Sequence, residues 1–312
     1  MDRVSRASVI VNPVAGPDGH RPGAGSTRAE RARRALHALG VTGEVVITPG
    51  RGQAAALVRD LVDRGAEVVI AWGGDGTINE VAGALIGTAT ALGIVRSGSG
   101  DGLGRTLRIA KDPDQAIASA VTGPSRFIDI GYLGDRHFLN VAGIGFDATV
   151  ATAFNDGGRR GQLRYFLRTV QALWTYRAGR YRLHLEHEAS DSTRFLVAFA
   201  NGCEYGGHLM LSADADPSDG WLDAVIVDDG SAVRQLWRMR RLAIGVRRPA
   251  EGIYRYRIQH ARVAGDRLTC HVDGETFETS GVIDVRVAPS ALRVAGGWAP
   301  RPTRGSTFSL PA

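Results

Sequence analysis

The stretch Ala71-Trp72-Gly73-Gly74-Asp75-Gly76-Thr77-Ile78-Asn79-Glu80-Val81 decides how this chain is read. It follows an apolar, β-like run, Glu67-Val68-Val69-Ile70-Ala71, and leads into a helix-like run over residues 78–86. Gly73, Gly74 and Gly76 leave little side chain to pack at the junction. Glycine supplies conformational freedom there, and lets the backbone come close to a ligand. A strand-to-helix turn of this kind directs free backbone N–H groups and a helix N-terminus at one point, which suits a phosphate. Asp75 lies inside the turn. A carboxylate beside phosphates repels them unless a cation bridges the two or the carboxylate acts as a base. Thr77 has the chemistry to cap the helix or to bond a phosphate oxygen. The plain structural alternative is a glycine-rich β–α turn carrying an exposed Asp.

The totals bound the classes open to the chain. Its 312 residues, enough for two domains or one large one, are 44% hydrophobic and 22% charged, which allows a proper core. No apolar run approaches the roughly 18 residues that span a bilayer. The apolar start, Val9-Ile10-Val11, turns polar at Asn12-Pro13, unlike a signal peptide. Cys203 and Cys270 match no metal spacing and read as reduced thiols of a cytoplasmic protein. The net charge of +6 comes almost wholly from arginine, because Lys111 is the only lysine. That excludes a Walker-type loop, which needs Gly-Lys-Ser/Thr, and the strand lysine of protein kinases. Any nucleoside triphosphate must be held by backbone amides, metal and arginine.

Residues 8–11 read as a first strand, followed by the turn Asn12-Pro13-Val14-Ala15-Gly16. A helix over residues 27–39, a strand over 44–48, a helix over 53–64 and a strand over 92–95 continue the alternation. A second glycine loop follows, Ser97-Gly98-Ser99-Gly100-Asp101-Gly102-Leu103-Gly104-Arg105. This order predicts a doubly wound α/β domain over residues 1–125, with ligands at the carboxyl ends of its strands. The alternation then stops. Residues 126–295 read as a mainly antiparallel β domain, and 296–312 as a loose tail. Two arginine-rich helical runs interrupt the β domain. One covers residues 159–182 around Leu163, Phe166, Leu167, Val170, Leu173 and Trp174; the other is Arg234-Gln235-Leu236-Trp237-Arg238-Met239-Arg240-Arg241. Their apolar faces are expected to pack on the β domain, leaving arginines for solvent or anionic phospholipid. No nucleic-acid-binding fingerprint accompanies the charge, so nucleic acid is not an expected partner.

The glycine turn closely resembles the GGDGT signature of the diacylglycerol kinase catalytic family. That family includes bacterial lipid kinases and sphingosine kinases and is related to NAD kinases and phosphofructokinases. The resemblance spans residues 8–295, with motifs in family order: the Asn12-Pro13 turn, Gly73 to Thr77, Gly98-Ser99-Gly100, Asp219-Gly220-Trp221-Leu222-Asp223 and Asp273-Gly274-Glu275. It implies ATP contacts from Asn12, Pro13, Gly16, Thr48, Gly73, Gly74, Asp75, Gly76, Thr77, Asn79, Glu80 and Ser99. It implies Mg2+ ligation by Asp216, Asp219 and Trp221, the first and last through carbonyl oxygens. Glu275 would be the base toward a lipid hydroxyl, with Asp75 toward magnesium; in the sphingosine kinase branch the turn Asp is the favoured base instead. Asp129 matches a family acidic position near the cleft. One departure stands out: Asp101 replaces the usual Asn, and a carboxylate cannot donate to phosphate. This bears on nucleotide affinity, metal count and nucleotide choice.

The resemblance therefore implies a cytoplasmic, peripherally membrane-associated lipid kinase that phosphorylates diacylglycerol or a sphingosine-like lipid at an anionic membrane surface. The alternatives are a soluble or NAD-type kinase and a non-catalytic nucleotide sensor. A homodimer stays open. Acyl pockets are built from ordinary apolar residues, so the lipid is named only by class.

Overall fold

The computed structural model describes residues 4–16, 19, 21–50, 52–98, 100–146, 148, 176–186, 188–206, 209–243 and 250–296. The expected helix over residues 159–182 falls mostly outside them, as do Ser99 and the expected tail beyond 296.

Four strands, β1 (Ala7–Val11), β2 (Val45–Ile47), β3 (Val68–Gly73) and β4 (Ala91–Arg96), run parallel in the order β4-β3-β1-β2. Helices α1 (Ala24–Ala38), α2 (Ala54–Asp63) and α3 (Asp75–Leu85) connect them; α4 (Gly102–Thr106) and α5 (Pro113–Thr122) follow β4. The strands are nearly continuous apolar runs because both faces are covered. One face buries Ile10, Val69, Ala71, Leu92 and Ile94 against Val58 and Leu61 of α2 and Ile78, Val81 and Leu85 of α3. The alternate residues Val9, Val11, Ile70, Trp72 and Val95 meet Ala29, Ala32 and Leu36 of α1 and Ile117 and Val121 of α5. The doubly wound expectation is met. Strand order reverses between β1 and β3, so their carboxyl ends flank the crevice where such folds take ligands. Asn12 follows β1, and Gly73 ends β3.

Helix α3 begins at Asp75, three residues before the apolar periodicity that starts at Ile78. The extended backbone of Gly74 caps it (φ −89°, ψ −177°), so Asp75, Gly76 and Thr77 form its first turn. Hydrophobic spacing cannot register a first turn made of polar residues and glycine.

The remaining strands form the β domain that sequence predicts. β5 (Ser125–Leu133), β6 (Arg136–Phe138), β7 (Val141–Gly145), β8 (Gly179–Leu185), β9 (Glu188–Ala200), β12 (Leu222–Asp228), β13 (Ile253–Ile258), β14 (His260–Val272) and β15 (Glu275–Ala295) are joined almost entirely by antiparallel ladders, while β10 (Glu204–Gly206) and β11 (Leu209–Met210) pair separately. Phe138, Ile144, Leu183, Val197, Phe199, Leu222, Val263 and Val285 fill its core. Helix α6 (Ala232–Ala243) lies between β12 and β13 in sequence.

The two units are not joined by one simple linker. β15 pairs antiparallel with β14 along its first half, and Val294 near its end pairs parallel with Leu92 of β4. Leu292 and Val294 are buried in the α/β core. The residues closest to 295, assigned to the second domain on sequence grounds, thus pack with the first. One strand carries its N-terminal residue, Glu275, in the hairpin turn and its far end in the parallel sheet.

Candidate active site

Four pieces of backbone converge at the N-terminus of α3, and glycines let them meet. A Cβ on Gly73 would sit 2.5 Å from Thr77 Cβ, so only glycine lets Thr77 fold back against the turn. A Cβ on Gly98 would lie 2.9 Å from the Gly74 Cα, and one on Gly100 would lie 2.6 Å from Asp75 Oδ2. The second glycine loop therefore stacks directly on the first. Gly16, at φ +76°, lies against the Ser97 carbonyl at the end of β4, which a Cβ would strike at 2.5 Å. Asn12 donates its side-chain amide to Thr77 Oγ1 (2.8 Å) and accepts from the Val14 N–H (3.0 Å). Pro13 packs on Gly25 at the start of α1, and Arg28 donates to the Asn12 carbonyl (3.0 Å). Gly74 offers no side-chain cap, so the first-turn N–H groups of α3 lack an intrahelical acceptor.

Asp75 is held inside this stack. Its carboxylate accepts N–H bonds from Asp101 (3.0 Å) and Gly102 (3.1 Å). Burial pushes its pKa from 3.8 up to about 6, with the nearby charges of Asp101 and Asp273 adding to the shift and the two N–H bonds opposing it. Asp101 adopts a left-handed conformation (φ +49°), which Asp tolerates better than most residues. Its carboxylate accepts from the Gly98 N–H (2.8 Å) and lies 3.5 Å from Arg96 Nε in a buried ion pair. The carboxylate that departs from the family Asn is thus turned inward and balanced by arginine.

The fourth piece is the turn between β14 and β15. Asp273, at φ +46°, accepts four N–H bonds: from Leu139 (2.7 Å), Asn140 (3.0 Å), Val141 (3.0 Å) and the Asn79 side chain (2.8 Å). It locks the hairpin to α3 and to the start of β7. Sequence reasoning assigned Asp273 no role of its own; it stood only as an Asp-Gly turn and the first residue of the Asp-Gly-Glu motif, neither of which reveals distant donors. Two residues on, Glu275 Oε1 lies 3.7 Å from where a Cβ on Gly76 would be. The two expected catalytic carboxylates, Asp75 and Glu275, therefore flank the same helical turn.

Other expected site residues are placed differently. Glu80 accepts from the N–H groups of Ala54 (2.6 Å), Ala55 (3.3 Å) and Gly52 (3.3 Å), so it caps α2. Asn79 is engaged by Asp273. Thr48 is buried, its hydroxyl 3.4 Å from the Val11 carbonyl. Asp216 accepts from the backbone and hydroxyl of Ser218. Asp219 accepts from the Trp221 N–H (3.1 Å) and pairs with Arg257 (2.6 Å), whose guanidinium also lies over the Trp221 ring. Burial raises Asp219 to about 6 in spite of Arg257. Asp129, buried, accepts from Gly220 and Ser290 (2.7 Å each) and ties this acidic loop to β15. Among the described residues, no three His, Cys, Asp or Glu side chains are gathered to hold an ion alone.

The donor set at α3 fits a metal-borne polyphosphate better than a dedicated metal cage. Ser97 Oγ is buried without a hydrogen-bond partner among the described residues, beside Gly16 and the stacked glycines. Carboxylates near the turn are hard oxygen ligands, and Mg2+ is commonly held by one or two carboxylates together with substrate phosphates.

Three outcomes follow from this geometry. Asp273→Ala leaves four donors without their acceptor and is expected to lower stability by about 2–4 kcal/mol in denaturant unfolding. Glu80→Ala removes the cap of α2 and is expected to cost about 1–2 kcal/mol with ATP affinity unchanged in calorimetry; lost affinity at full stability would instead mark a nucleotide contact. Because the folded pKa of Asp75 is raised, its ionisation opposes folding. The nucleotide-free wild type should therefore lose stability relative to Asp75→Asn as pH rises from about 4 to about 6, by on the order of 2–3 kcal/mol, and the difference should be flat above. A flat difference across that window would contradict a raised pKa at Asp75.

Comparison with known proteins agrees with this architecture. Residues 6–133 match the diacylglycerol kinase catalytic domain, and residues 140–296 match the YegS C-terminal NAD kinase beta sandwich-like domain. A "Probable lipid kinase YegS-like" protein of Chromohalobacter salexigens is 34% identical over 212 residues, 66% of this chain and 67% of that one. A "Diacylglycerol kinase" of Mycobacterium tuberculosis is 28% identical over 305 residues, covering 93% and 95% of the two chains. The crystal structure of a diacylglycerol kinase from Bacillus anthracis superposes with a TM-score of 0.75 at 17% identity, covering 95% of this chain and 98% of that one. The chain belongs to the diacylglycerol kinase catalytic family, with an NAD kinase-like α/β domain followed by the YegS-type β domain, and is a kinase of the lipid kinase group.

Proposed function

We propose that the protein transfers the γ-phosphate of ATP to the hydroxyl of a membrane lipid, diacylglycerol or a sphingosine-like alcohol, with Mg2+ and from the cytoplasmic side. The observation that carries this reading is the position of Glu275 beside Gly76, at the turn where Asp75 is partly buried and the first turn of α3 has no side-chain cap. Phosphoryl transfer needs positioning and charge neutralisation more than covalent help from the protein. The N–H groups of Asp75, Gly76 and Thr77 receive phosphate oxygens, and the dipole of α3 favours their negative charge. Mg2+ would neutralise charge on the phosphates. Asp75, the partly buried carboxylate of the turn itself, would hold that ion, and its two N–H bonds fix its orientation. Glu275 accepts the proton of the lipid hydroxyl as the new O–P bond forms in line and the bond from the γ-phosphorus to ADP breaks.

Asp101 does not favour the non-catalytic alternative. Its charge is met by Arg96 and the Gly98 N–H, so no unpaired carboxylate is added to the phosphate space. No observation favours a water-soluble acceptor.

Purified protein given labelled ATP, Mg2+ and lipid vesicles should yield phosphorylated lipid. Glu275→Gln should lower turnover by at least about a hundredfold with little change in ATP affinity. Normal activity in that variant would remove Glu275 as the base. Equal turnover of a water-soluble alcohol without vesicles would refute the lipid assignment.

A further inference from the structure

Helix α6 turns polar as well as apolar side chains inward, with Met239 and Leu242 packed in an apolar cluster beside Gln235 and Arg238. Its buried side carries Gln235, Arg238 and Leu242, exposed by only 2%, 4% and 4%. Gln235 donates to the Asp228 carbonyl (2.8 Å); Arg238 donates to the carbonyls of Asp228 (2.8 Å) and Glu251 (3.2 Å). A Cβ on Gly252 would strike the Arg238 guanidinium at 1.9 Å, so the strand start is cut away to admit it. The polar contacts hold this side inward. Val233, Leu236 and Trp237 are left outward, 74%, 53% and 48% exposed. The expected packing of this run's apolar face on the β domain holds for Met239 and is reversed for Leu236 and Trp237, because Gln235 and Arg238 answer strand-end carbonyls that an apolar side chain cannot.

At 100° per residue, Val233, Leu236, Trp237 and Arg240 share one arc, with Arg234 and Arg241 at its border. Arg234 and Arg240 are exposed, and the Arg241 guanidinium lies 4.9 Å from the Trp237 ring centre. The helix contains no acidic residue. Exposed apolar side chains ringed by cations call for a partner that is apolar and anionic at once. A second copy of this chain about a two-fold axis would set the same arginines against each other. An anionic bilayer supplies acyl chains for Leu236 and Val233, a headgroup layer for Trp237 and phosphates for the arginines.

We propose that the outer face of α6 docks the protein onto anionic phospholipid bilayers. The proposal rests on the lipid-kinase reading only in that a lipid acceptor obliges the enzyme to reach a bilayer. Its deciding readout is vesicle binding without nucleotide, which needs no turnover, so the two can fail separately.

The full chain is floated without nucleotide with vesicles of phosphatidylcholine alone or mixed with phosphatidylglycerol. Wild type should bind the mixed vesicles and pass the neutral ones. Each arginine near an anionic surface contributes roughly fivefold to partitioning, so Arg240→Ser with Arg241→Ser should weaken binding by about 25-fold. Leu236→Ser with Trp237→Ser should weaken it by at least about tenfold. Both double variants should keep the thermal midpoint of wild type and phosphorylate a water-dispersed short-chain diacylglycerol at its rate. Absent turnover on every lipid, with vesicle binding intact and variant-sensitive, would sink the kinase reading and leave the docking face standing. Wild-type affinity in both variants, or equal binding to neutral vesicles, overturns the proposal. So does a wild-type dimer that the Leu236/Trp237 variant converts to monomer, because α6 would then be a contact between copies.

Discussion

One carboxylate holds the two halves of the site together. Asp273 collects three backbone N–H groups from residues 139–141 and the amide of Asn79 on α3. A hydrogen bond to a charged acceptor contributes more than a neutral one, and each donor is left unmet if the acceptor is removed. The β14–β15 turn therefore cannot drift from α3 without breaking several bonds at once. Glu275, two residues further, inherits that fixity and is delivered beside Gly76. From the same strand, β15 runs on until Val294 joins β4. The hairpin is anchored at its turn by Asp273 and at its far end by the parallel sheet.

Charge at the site is managed without lysine. The glycine loops touch backbone to backbone, so N–H groups and a helix dipole are the main positive features of the first turn of α3. Asp75 is buried enough for its pKa to approach neutrality, which makes it a poor isolated anion and a receptive partner for a cation. Asp101 adds a second carboxylate a short distance away, yet Arg96 lies in the same buried space and offsets it. Replacing an Asn by Asp at such a position is tolerable only with a compensating cation, and the end of β4 supplies one.

Much of this was legible in the sequence, for physical reasons. Continuous apolar strands alternating with helical periodicity define a doubly wound sheet, and three glycines in four positions mark where the chain must turn tightly at its edge. The family motifs imply Asp75 and Glu275 in one cleft, and in the fold Asp75 begins α3 while Glu275, at the start of β15, reaches the same first turn beside Gly76. What stayed hidden depends on partners far apart in sequence. Glu80 sits within the glycine motif, but its carboxylate belongs to the N-terminus of α2, some 26 residues earlier. The donors to Asp273 come from about 132 to 194 residues away, and no local pattern reports them. Asp219 reads locally as a turn residue, and only the family resemblance implies a metal there; its ion pair with Arg257 on β13 is a long-range contact that no local pattern reports. Helix α6 shows the limit of hydrophobic patterning most clearly. The pattern identifies an amphipathic helix, but the strand-end carbonyls decide which side is turned in.

In the proposed reaction polyphosphate is held by the N–H groups of the first turn of α3, closed over by the second glycine loop and the β14–β15 turn. Amide hydrogen exchange with and without a Mg2+-bound, non-hydrolysable ATP analogue tests it directly. Exchange should slow at residues 73–77 and 98–102 and at the 272–276 turn, with little change on β12 and the edge strand β13. Protection centred elsewhere, with exchange at residues 73–77 untouched at saturating nucleotide, would contradict it.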